Sequence, residues 1–289
     1  MILFFSIIFS VNIGIDFFRG GHGHTYTRLK EIKSKNNIDI LFCGSSHAYR
    51  GFNTNIFRDS GYTVFNLGSS SQTHIQTEIL LKRYLTQVKP KLVIYEVNPE
   101  IFTMEGVESA IDIISNDKND FESIKMVFKI QSLMAFNTLN YTFLYDIINR
   151  NKAFSENKQK DEDTYIEGGY VEKKLTNNKT LNLSQNKFKI DINKKQLQSF
   201  ENALSLISKT NCKVILVFAP ITSRTYNTFE NIELFSKMMS TYGKYYDFNK
   251  IIILNDTTDF YDSEHLNING VLKFNNKLIQ VIKNNYYCN

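Results

Sequence analysis

The sequence predicts a three-layer α/β/α protein of the flavodoxin type, with a five-stranded parallel sheet and a helical and loop insertion between the third and fourth strands. Apolar runs that are too short for helices alternate with longer segments of helical period, which is the pattern of parallel strands joined by crossover helices. Hydrophobic residues form 42% and charged residues 22% of the 289-residue chain, enough for a substantial core. This composition argues against a disordered chain, a collagen-like fibre and a multi-span membrane protein.

Five short apolar runs are the candidate strands of this sheet. In chain order they are residues 39–43, 62–66, 91–97, 213–218 and 251–254. Apolar residues at helical spacing predict a helix over 71–88, another before the fourth strand and a last one that closes the chain after Gly270. These apolar stripes are core faces, so we assign no cofactor to them.

The chain divides into a predicted N-terminal membrane anchor (1–18), a flexible neck (19–37) and one α/β domain (38–289). A stretch of about 101–190 breaks the strand–helix alternation and is the predicted insertion. Its first part is apolar with a helical period, whereas residues 151–187 are rich in Asn, Lys, Glu and Gly. We expect this second part to be an exposed loop or, equally, a partly disordered surface excursion. The insertion as a whole could cap the carboxyl edge of the sheet.

The first 18 residues form an apolar run whose length is close to what a bilayer requires. The run lacks an A-x-A-like cleavage site, which favours a signal anchor over a cleaved peptide. It also lacks a preceding basic flank, so the true start could lie upstream. The alternative is a buried amino-terminal helix, which should show a polar face that is missing here. An anchor would place the domain outside the cytoplasm, in a bacterial cell envelope.

Charge and cysteine content exclude several partners and cofactors. The formal net charge is +5, but Lys and Arg are scattered without a basic block, so nucleic acid is not an expected partner. Cys43, Cys212 and Cys288 form no CxxC pair, and we expect inert packing, with a Cys212–Cys288 disulfide as the alternative. The first strand is followed by no dinucleotide or P-loop motif. No metal and no cofactor are predicted.

Polar clusters follow four of the five predicted strands. They are Gly44-Ser45-Ser46-His47, Gly68-Ser69-Ser70-Ser71, Asn98-Pro99-Glu100 and Asp262-Ser263-Glu264-His265. In an open parallel sheet the ligand site lies outside the carboxyl ends of the strands, because the loops and helix starts converge there. We therefore expect all four clusters at one edge.

These clusters contain the groups that nucleophilic catalysis by serine requires. A serine nucleophile needs a base within hydrogen-bond reach, and the base needs a carboxylate that fixes its tautomer. Ser46 lies at a Gly-containing strand-to-helix turn, and Asp262 and His265 lie three residues apart on the loop before the last helix. The N–H groups of Ser46 and Gly68 and the side-chain amide of Asn98 would serve as oxyanion donors.

Four blocks of the sequence resemble the four blocks of the SGNH, or GDSL-type, hydrolase superfamily. They are ILFCGSSHAYRGF (40–52), VFNLGSSSQTH (64–74), VIYEVNPE (93–100) and DSEHLNINGVLKF (262–274). The resemblance spans residues 38–289 apart from the insertion. It implies Ser46 as the nucleophile, Gly68 and Asn98 as oxyanion donors, and Asp262 with His265 as the rest of a catalytic triad.

Two blocks depart from the usual pattern of that superfamily. Its Gly-Asp-Ser is here Gly44-Ser45-Ser46, and its G-x-N-D block is Glu96-Val97-Asn98-Pro99. The Ser-Ser variant and the D-x-x-H-L-N-x-x-G ending are more similar to the membrane-tethered branch that handles acyl groups on cell-envelope polymers, such as the alginate O-acetylation proteins and the lipoteichoic-acid D-alanylation protein.

The resemblance therefore implies a serine esterase or O-acyltransferase for acyl esters, with acetyl as the expected group, of a cell-envelope or secreted polysaccharide. The expected partners are this acylated carbohydrate or envelope polymer, the membrane through the N-terminal segment, and a multi-span membrane acyltransferase. The alternative is a catalytically silent member of the superfamily that binds carbohydrate or scaffolds an acyltransferase complex. It predicts a misaligned triad.

Four further residues could lie at or near the same edge of the sheet, with either structural or substrate-binding roles. His47 follows Ser46 directly and is expected to start a helix or line the pocket, with substrate contact as the alternative. His74 is expected at the surface or the pocket rim. Arg224 and Tyr226 follow the fourth strand; structural roles are favoured for them, and substrate binding is the alternative.

Overall fold

The computed structural model describes residues 22–148, 154–174 and 186–286, and a parallel sheet forms its centre. The strands are β1 (Ile40–Cys43), β2 (Val64–Asn66), β3 (Leu92–Glu96), β4 (Gln159–Lys160), β5 (Asp163–Ile166), β6 (Tyr170–Lys173), β7 (Lys213–Phe218) and β8 (Tyr245–Asp247). The central sheet has the order β2-β1-β3-β7-β8, and all of its neighbouring strands are parallel. The predicted fold class is confirmed.

Helices connect the strands and cover both faces of the sheet. They are α1 (Thr25–Ile32), α2 (Ser46–Gly51), α3 (Thr54–Asp59), α4 (His74–Val88), α5 (Val107–Asn116), α6 (Phe121–Ile130), α7 (Leu133–Ile148), α8 (Lys194–Ser208), α9 (Ser223–Tyr226), α10 (Ile232–Tyr242), α11 (Phe248–Ile251) and α12 (Ile268–Tyr286). Short 3₁₀ turns lie at His22–His24 and Pro99–Phe102.

The alternation of side chains along the strands explains the three layers. Successive residues of a strand point to opposite faces. Leu41 of β1 therefore packs in one core with Leu80 of α4, and Phe42 packs in the other core with Phe274 of α12. Because β1 is covered on both faces, all four of its residues are buried, which is why it reads as a continuous apolar run.

The predicted fifth strand is wrong. Residues 251–254 are not a strand: Ile251 ends α11, and the side chain of Ile253 is 99% exposed. The fifth strand is instead β8, which pairs with β7 only and lies at the edge of the sheet. An edge strand is half-exposed and so carries less apolar residues, here Tyr245, Tyr246 and Asp247.

The second part of the insertion is also more ordered than predicted. Residues 159–173 form the antiparallel sheet β4-β5-β6, in which the side chains of Tyr165, Tyr170 and Val171 are buried. The turn between β5 and β6 lies against the end of β2, since the N–H of Asn66 donates to the Gly168 carbonyl at 2.7 Å. A Cβ atom on Gly169 would lie 2.1 Å from the Asn66 carbonyl oxygen, so this close approach requires glycine.

The expected neck is a packed helix where the structure describes it. Leu29 and Ile32 of α1 are buried in the main core, and the buried guanidinium of Arg28 donates to the carbonyls of Gly23 and Gly169. The proposed anchor, residues 1–18, lies outside the described residues. Among the described residues, no helix has the length and apolarity to cross a bilayer.

The cysteines that the structure describes are free. Cys43 is buried in β1, and Cys212 lies just before β7. Cys288 lies outside the described residues, and with it the alternative Cys212–Cys288 disulfide.

Candidate active site

The turn after β1 places Ser46 at the carboxyl edge of the sheet. Gly44 has a φ of 144°, and a Cβ atom there would lie 2.6 Å from Cβ of Glu96, so the turn requires glycine. Ser45 caps α2, since its Oγ accepts the N–H of His47 at 3.3 Å. Ser46 is thus the first residue of α2, partly exposed at the sheet edge.

The structure brings Ser46, His265 and Asp262 together. Oγ of Ser46 lies 2.8 Å from Nε2 of His265, across 219 positions of sequence. Nδ1 of the same imidazole lies 2.9 Å from Oδ2 of Asp262 and 3.1 Å from its Oδ1. This is the hydrogen-bond order that serine-dependent acyl transfer needs, with a hydroxyl, a base and an orienting carboxylate in line.

The environment of Asp262 keeps its carboxyl group ionised. Burial alone would raise its pKa, but hydrogen bonds from the His265 ring and from the N–H groups of Glu264 and His265 outweigh burial and lower the pKa to about 2. An ionised carboxylate on Nδ1 holds the proton there and leaves Nε2 free to accept one from Ser46.

The loop that carries Asp262 and His265 is held from the neighbouring strand end. The carbonyl of Ser263 accepts the Thr222 hydroxyl at 2.7 Å and the Thr225 hydroxyl at 3.0 Å. Both threonines lie in the loop and short helix that follow β7. This contact holds the loop through a backbone carbonyl, so it does not use the side chains of Asp262 and His265.

Two aromatic rings enclose the imidazole of His265. The His47 ring stacks on it at 4.9 Å between centroids and 17° between planes, and Tyr261 stacks at 5.5 Å and 7°. His47 is buried, and its pKa is lowered to about 3 by burial and by the nearby His265. His47 is therefore neutral at ordinary pH, and it acts on His265 through the contact between their rings.

A buried polar chain lies behind His47. The Ser45 hydroxyl lies 3.2 Å from Nδ1 of His47 and 3.0 Å from Oε2 of Glu96. Burial raises the pKa of Glu96 to about 7, although the N–H and hydroxyl of Ser45 favour its ionised form. Ser45 and Glu96 are two of the positions where the sequence departs from the SGNH blocks, and the structure shows that they contact each other.

The expected oxyanion donors are only partly available in this arrangement. The N–H of Ser46 is at the first position of α2, where a helix offers it no partner. The N–H of Gly68 already donates to Oδ1 of Asn66 at 3.1 Å. The amide nitrogen of Asn98 lies 3.3 Å from both ring nitrogens of His47.

The three other candidate residues of this edge are His74, Tyr226 and Arg224, and they differ in burial. His74 is not at a rim: it is buried, with its ring 3.9 Å from that of Phe102 and Nδ1 2.8 Å from the Tyr95 hydroxyl. The Tyr226 hydroxyl donates to Asp247 at 2.6 Å, a structural contact at the end of β8. Arg224 is exposed and lines a shallow surface cavity with Lys187.

Sequence reasoning missed Tyr261, which directly precedes Asp262, because no spacing rule predicts that its ring stacks on His265. Glu100 and Glu264 belong to the polar clusters expected at this edge, and no role was assigned to them. Burial together with the charge of Glu264 raises the pKa of Glu100 to about 7. Among the residues that the structure describes, no group of three or more metal-ligating side chains converges.

Comparisons with known proteins find likeness to solved structures only. No protein-family model matches the chain, and no curated protein matches it in sequence. A solved structure from Bacteroides fragilis, described as a putative acylhydrolase, aligns over 89% of this chain and 94% of its own, with 12% identity and a TM-score of 0.43. A likeness at this identity and TM-score does not show the activity of this chain.

Proposed function

We propose that the protein is a serine-dependent ester hydrolase or O-acyltransferase that works through an acyl-serine intermediate. The supporting observation is the continuous path from Ser46 Oγ through the His265 ring to the Asp262 carboxylate, with contacts of 2.8 and 2.9 Å. The substrate we propose is an acyl ester, chiefly an acetyl ester, of a cell-envelope or secreted polysaccharide.

The first half of the reaction forms a bond to Ser46. Nε2 of His265 takes the hydroxyl proton while Oγ attacks the ester carbonyl carbon, and the carbonyl π electrons move to oxygen. The N–H of Ser46 is placed to stabilise that oxyanion, with Gly68 and Asn98 as the further donors if they release their present contacts. The alcohol then leaves with the proton from Nε2, and the acyl group stays on Oγ.

The second half returns the enzyme to its starting state. Nε2 of His265 takes a proton from water or from a sugar hydroxyl, whose oxygen attacks the acyl carbon and releases Oγ, which regains the proton. Water gives hydrolysis, and a sugar hydroxyl gives transfer. No redox partner is required in either case, and Asp262 stabilises the imidazolium in both halves.

The test is labelling of the full chain with a fluorophosphonate probe and turnover of a chromogenic acetate ester. Ser46→Ala and His265→Ala should abolish labelling and lower kcat by roughly 10⁴- to 10⁶-fold. Ser208→Ala is the matched control, because Ser208 is exposed on α8 and bonds only to a helix carbonyl. Labelling of Ser46→Ala as strong as that of the parent would refute the assignment.

One observation favours a second candidate function, a catalytically silent protein that binds carbohydrate or scaffolds an acyltransferase complex. Gly68 and Asn98 direct their donors to Asn66 and His47 instead of an open position. A folded parent that neither takes the probe nor turns over any acetylated sugar, while still binding the polysaccharide, would favour this alternative.

A further inference from the structure

One surface of the molecule exposes a group of large apolar side chains on two neighbouring helices. We define the α6–α7 face by six residues of these two helices, which are between 36% and 69% exposed: Phe121, Phe128, Leu133, Phe136, Phe143 and Ile147. The rings of Phe128 and Phe136 contact each other at 6.4 Å between centroids, so the two helices present one continuous surface. Contiguous apolar patches of this kind mark interaction sites.

The helical spacing shows that this exposure is organised. Phe136, Phe143 and Ile147 lie seven and four positions apart and so share one side of α7. The buried Ala135, Thr138 and Thr142, spaced three and four positions apart, form a different side of the helix. Asp146 is the single charged residue among the sixteen of α7, so the exposed side is apolar where an ordinary surface helix is charged.

The first described α-helix, α1, lies near the carboxyl-terminal end of α7. Residues 1–18 are apolar in sequence and lead into α1. Tyr26 of α1 lines one cavity together with Thr142 and Asp146, which lie near the carboxyl-terminal end of α7. The sequence that precedes α1 is apolar over a length close to what a bilayer requires, and α1 itself lies beside the end of α7.

The edge of the face has the side chains expected of a membrane interface. Nζ of Lys125 lies 4.5 Å from the centroid of the Phe121 ring, and the Lys125 side chain is 53% exposed. Its ammonium is paired with Glu122 at 2.8 Å, and a lysine in this position can lay its methylene chain along apolar surface while its ammonium exchanges this partner for a phosphate headgroup. Aromatic and aliphatic side chains on one face, with lysine at its border, characterise helices that lie in the interface plane.

We infer that the α6–α7 face rests on the surface of a phospholipid bilayer, with its aromatic and aliphatic side chains between the headgroups. This surface is separate from the Ser46 site and does not depend on the proposed chemistry. It also goes beyond a simple tether, because a tether alone would leave the body free to rotate, whereas a second contact fixes one side of the domain against the membrane.

The sequence contains no tryptophan, so a single introduced tryptophan reports on one place only. Phe128→Trp and Ile147→Trp probe the face, and Leu234→Trp on α10 is the matched control, because Phe128 and Ile147 are each 67% exposed and Leu234 is 69% exposed. The full chain would be reconstituted into phosphatidylcholine–phosphatidylglycerol vesicles, with or without brominated acyl chains.

The proposal predicts that brominated lipid removes most of the emission at positions 128 and 147 and leaves the emission at 234 unchanged. Emission at 128 and 147 that resists brominated lipid but is quenched by iodide would mean that the face stays in water, and this would overturn the proposal. Resistance to both quenchers would also overturn it, since another protein segment or a second copy would then cover the face. Fluorophosphonate labelling of Ser46 is measured in parallel and is expected to be the same in all three variants.

Discussion

The imidazole of His47 lies parallel to that of His265, with 4.9 Å between ring centroids. The two residues are far apart in sequence, yet the neighbour of the proposed nucleophile packs on the proposed base. The contact limits rotation of His265 about its side-chain bonds and so holds Nε2 toward Ser46 Oγ. Ordering of this kind affects the rate strongly, since misplacement by 1 Å costs about 10²-fold.

We therefore expect His47→Ala to lower kcat by roughly 10²-fold with little change in KM. His47→Phe keeps a flat ring at the same place and should retain most of the activity. Because His47 is neutral over the working range, its pKa being about 3, neither variant should add or remove an ionisation in the pH profile between pH 5 and 9. Equal losses in both variants would assign His47 a polar role in place of the stacking role.

Asp262→Asn tests the orienting carboxylate. The amide cannot stabilise an imidazolium and favours the wrong tautomer of His265, so kcat should fall by about 10⁴-fold while Ser46 and His265 remain in place. The comparison is with Asp256→Asn, which alters a carboxylate that bonds the start of α9 instead of His265. Steady-state kinetics on the acetate ester measures both, and a Asp262→Asn variant with parental kcat would contradict the triad.

The same carboxylate predicts the acid side of the stability profile. Its pKa is lowered in the folded protein, from 3.8 to about 2. The unfolded chain therefore binds this proton first, and the contribution of Asp262 to stability is present above pH 4 and is lost as the pH falls toward 2. Thermal unfolding should show a smaller loss over this interval in Asp262→Asn than in the parent.

Glu96 predicts the opposite sign. Burial raises its pKa from 4.5 to about 7, so the folded protein holds a proton that the unfolded chain has released. Stability from this group is full below pH 4.5 and falls by up to about 1.4 kcal/mol per pH unit as the pH rises toward 7. Glu96→Gln keeps an acceptor for Ser45 and should flatten this fall. Denaturant unfolding at pH 5 and pH 8 measures the difference, and parallel curves for variant and parent would contradict it.

The layered fold was predictable because it depends on local patterns, and so was the edge of the sheet at which Ser46 lies. Short apolar runs give strands, and the carboxyl ends of parallel strands meet at one edge, which places Ser46 there directly after β1. His265 reaches the same edge on a loop that follows α11, although the strand predicted before it was wrong. The edge strand β8 was missed because its residues, Tyr245–Asp247, are less apolar than the nearby run that contains Ile253. Hydrophobicity alone favours that run, although it is not a strand and Ile253 is exposed.

The remaining features arise from contacts between distant segments. Stacking of Tyr261 and His47 on His265 depends on side-chain rotation after the sheet has formed, and no spacing rule specifies it. The β5–β6 hairpin was likewise hidden by a polar composition, since its buried side chains are few and its place is set by the pairing of Gly168 with Asn66.

That hairpin also reaches the active site through an ion pair. Arg50 of α2 and Asp163 of β5 form two parallel hydrogen bonds of 2.8 and 2.7 Å, and their side chains are 13% and 21% exposed. The same guanidinium lies 6.0 Å from the centroid of the Tyr261 ring, which stacks on His265. The insertion thus supports the loop that carries the proposed base.

Asp163→Asn should therefore destabilise the protein and slow it. It leaves the Arg50 charge largely buried without its partner, which we expect to cost roughly 3 kcal/mol of unfolding free energy. Because the effect passes through Tyr261 to the orientation of His265, kcat should fall more than KM rises.

The combined Arg50→Met and Asp163→Leu variant removes both charges and should recover most of the stability, but not the kcat, since the cation over Tyr261 is lost. The exposed pair of Lys250 and Glu233 provides the control, and Glu233→Gln should change stability by no more than about 0.5 kcal/mol. If Asp163→Asn changes the unfolding free energy and kcat no more than Glu233→Gln does, the β5–β6 hairpin does not help to position the loop that carries His265.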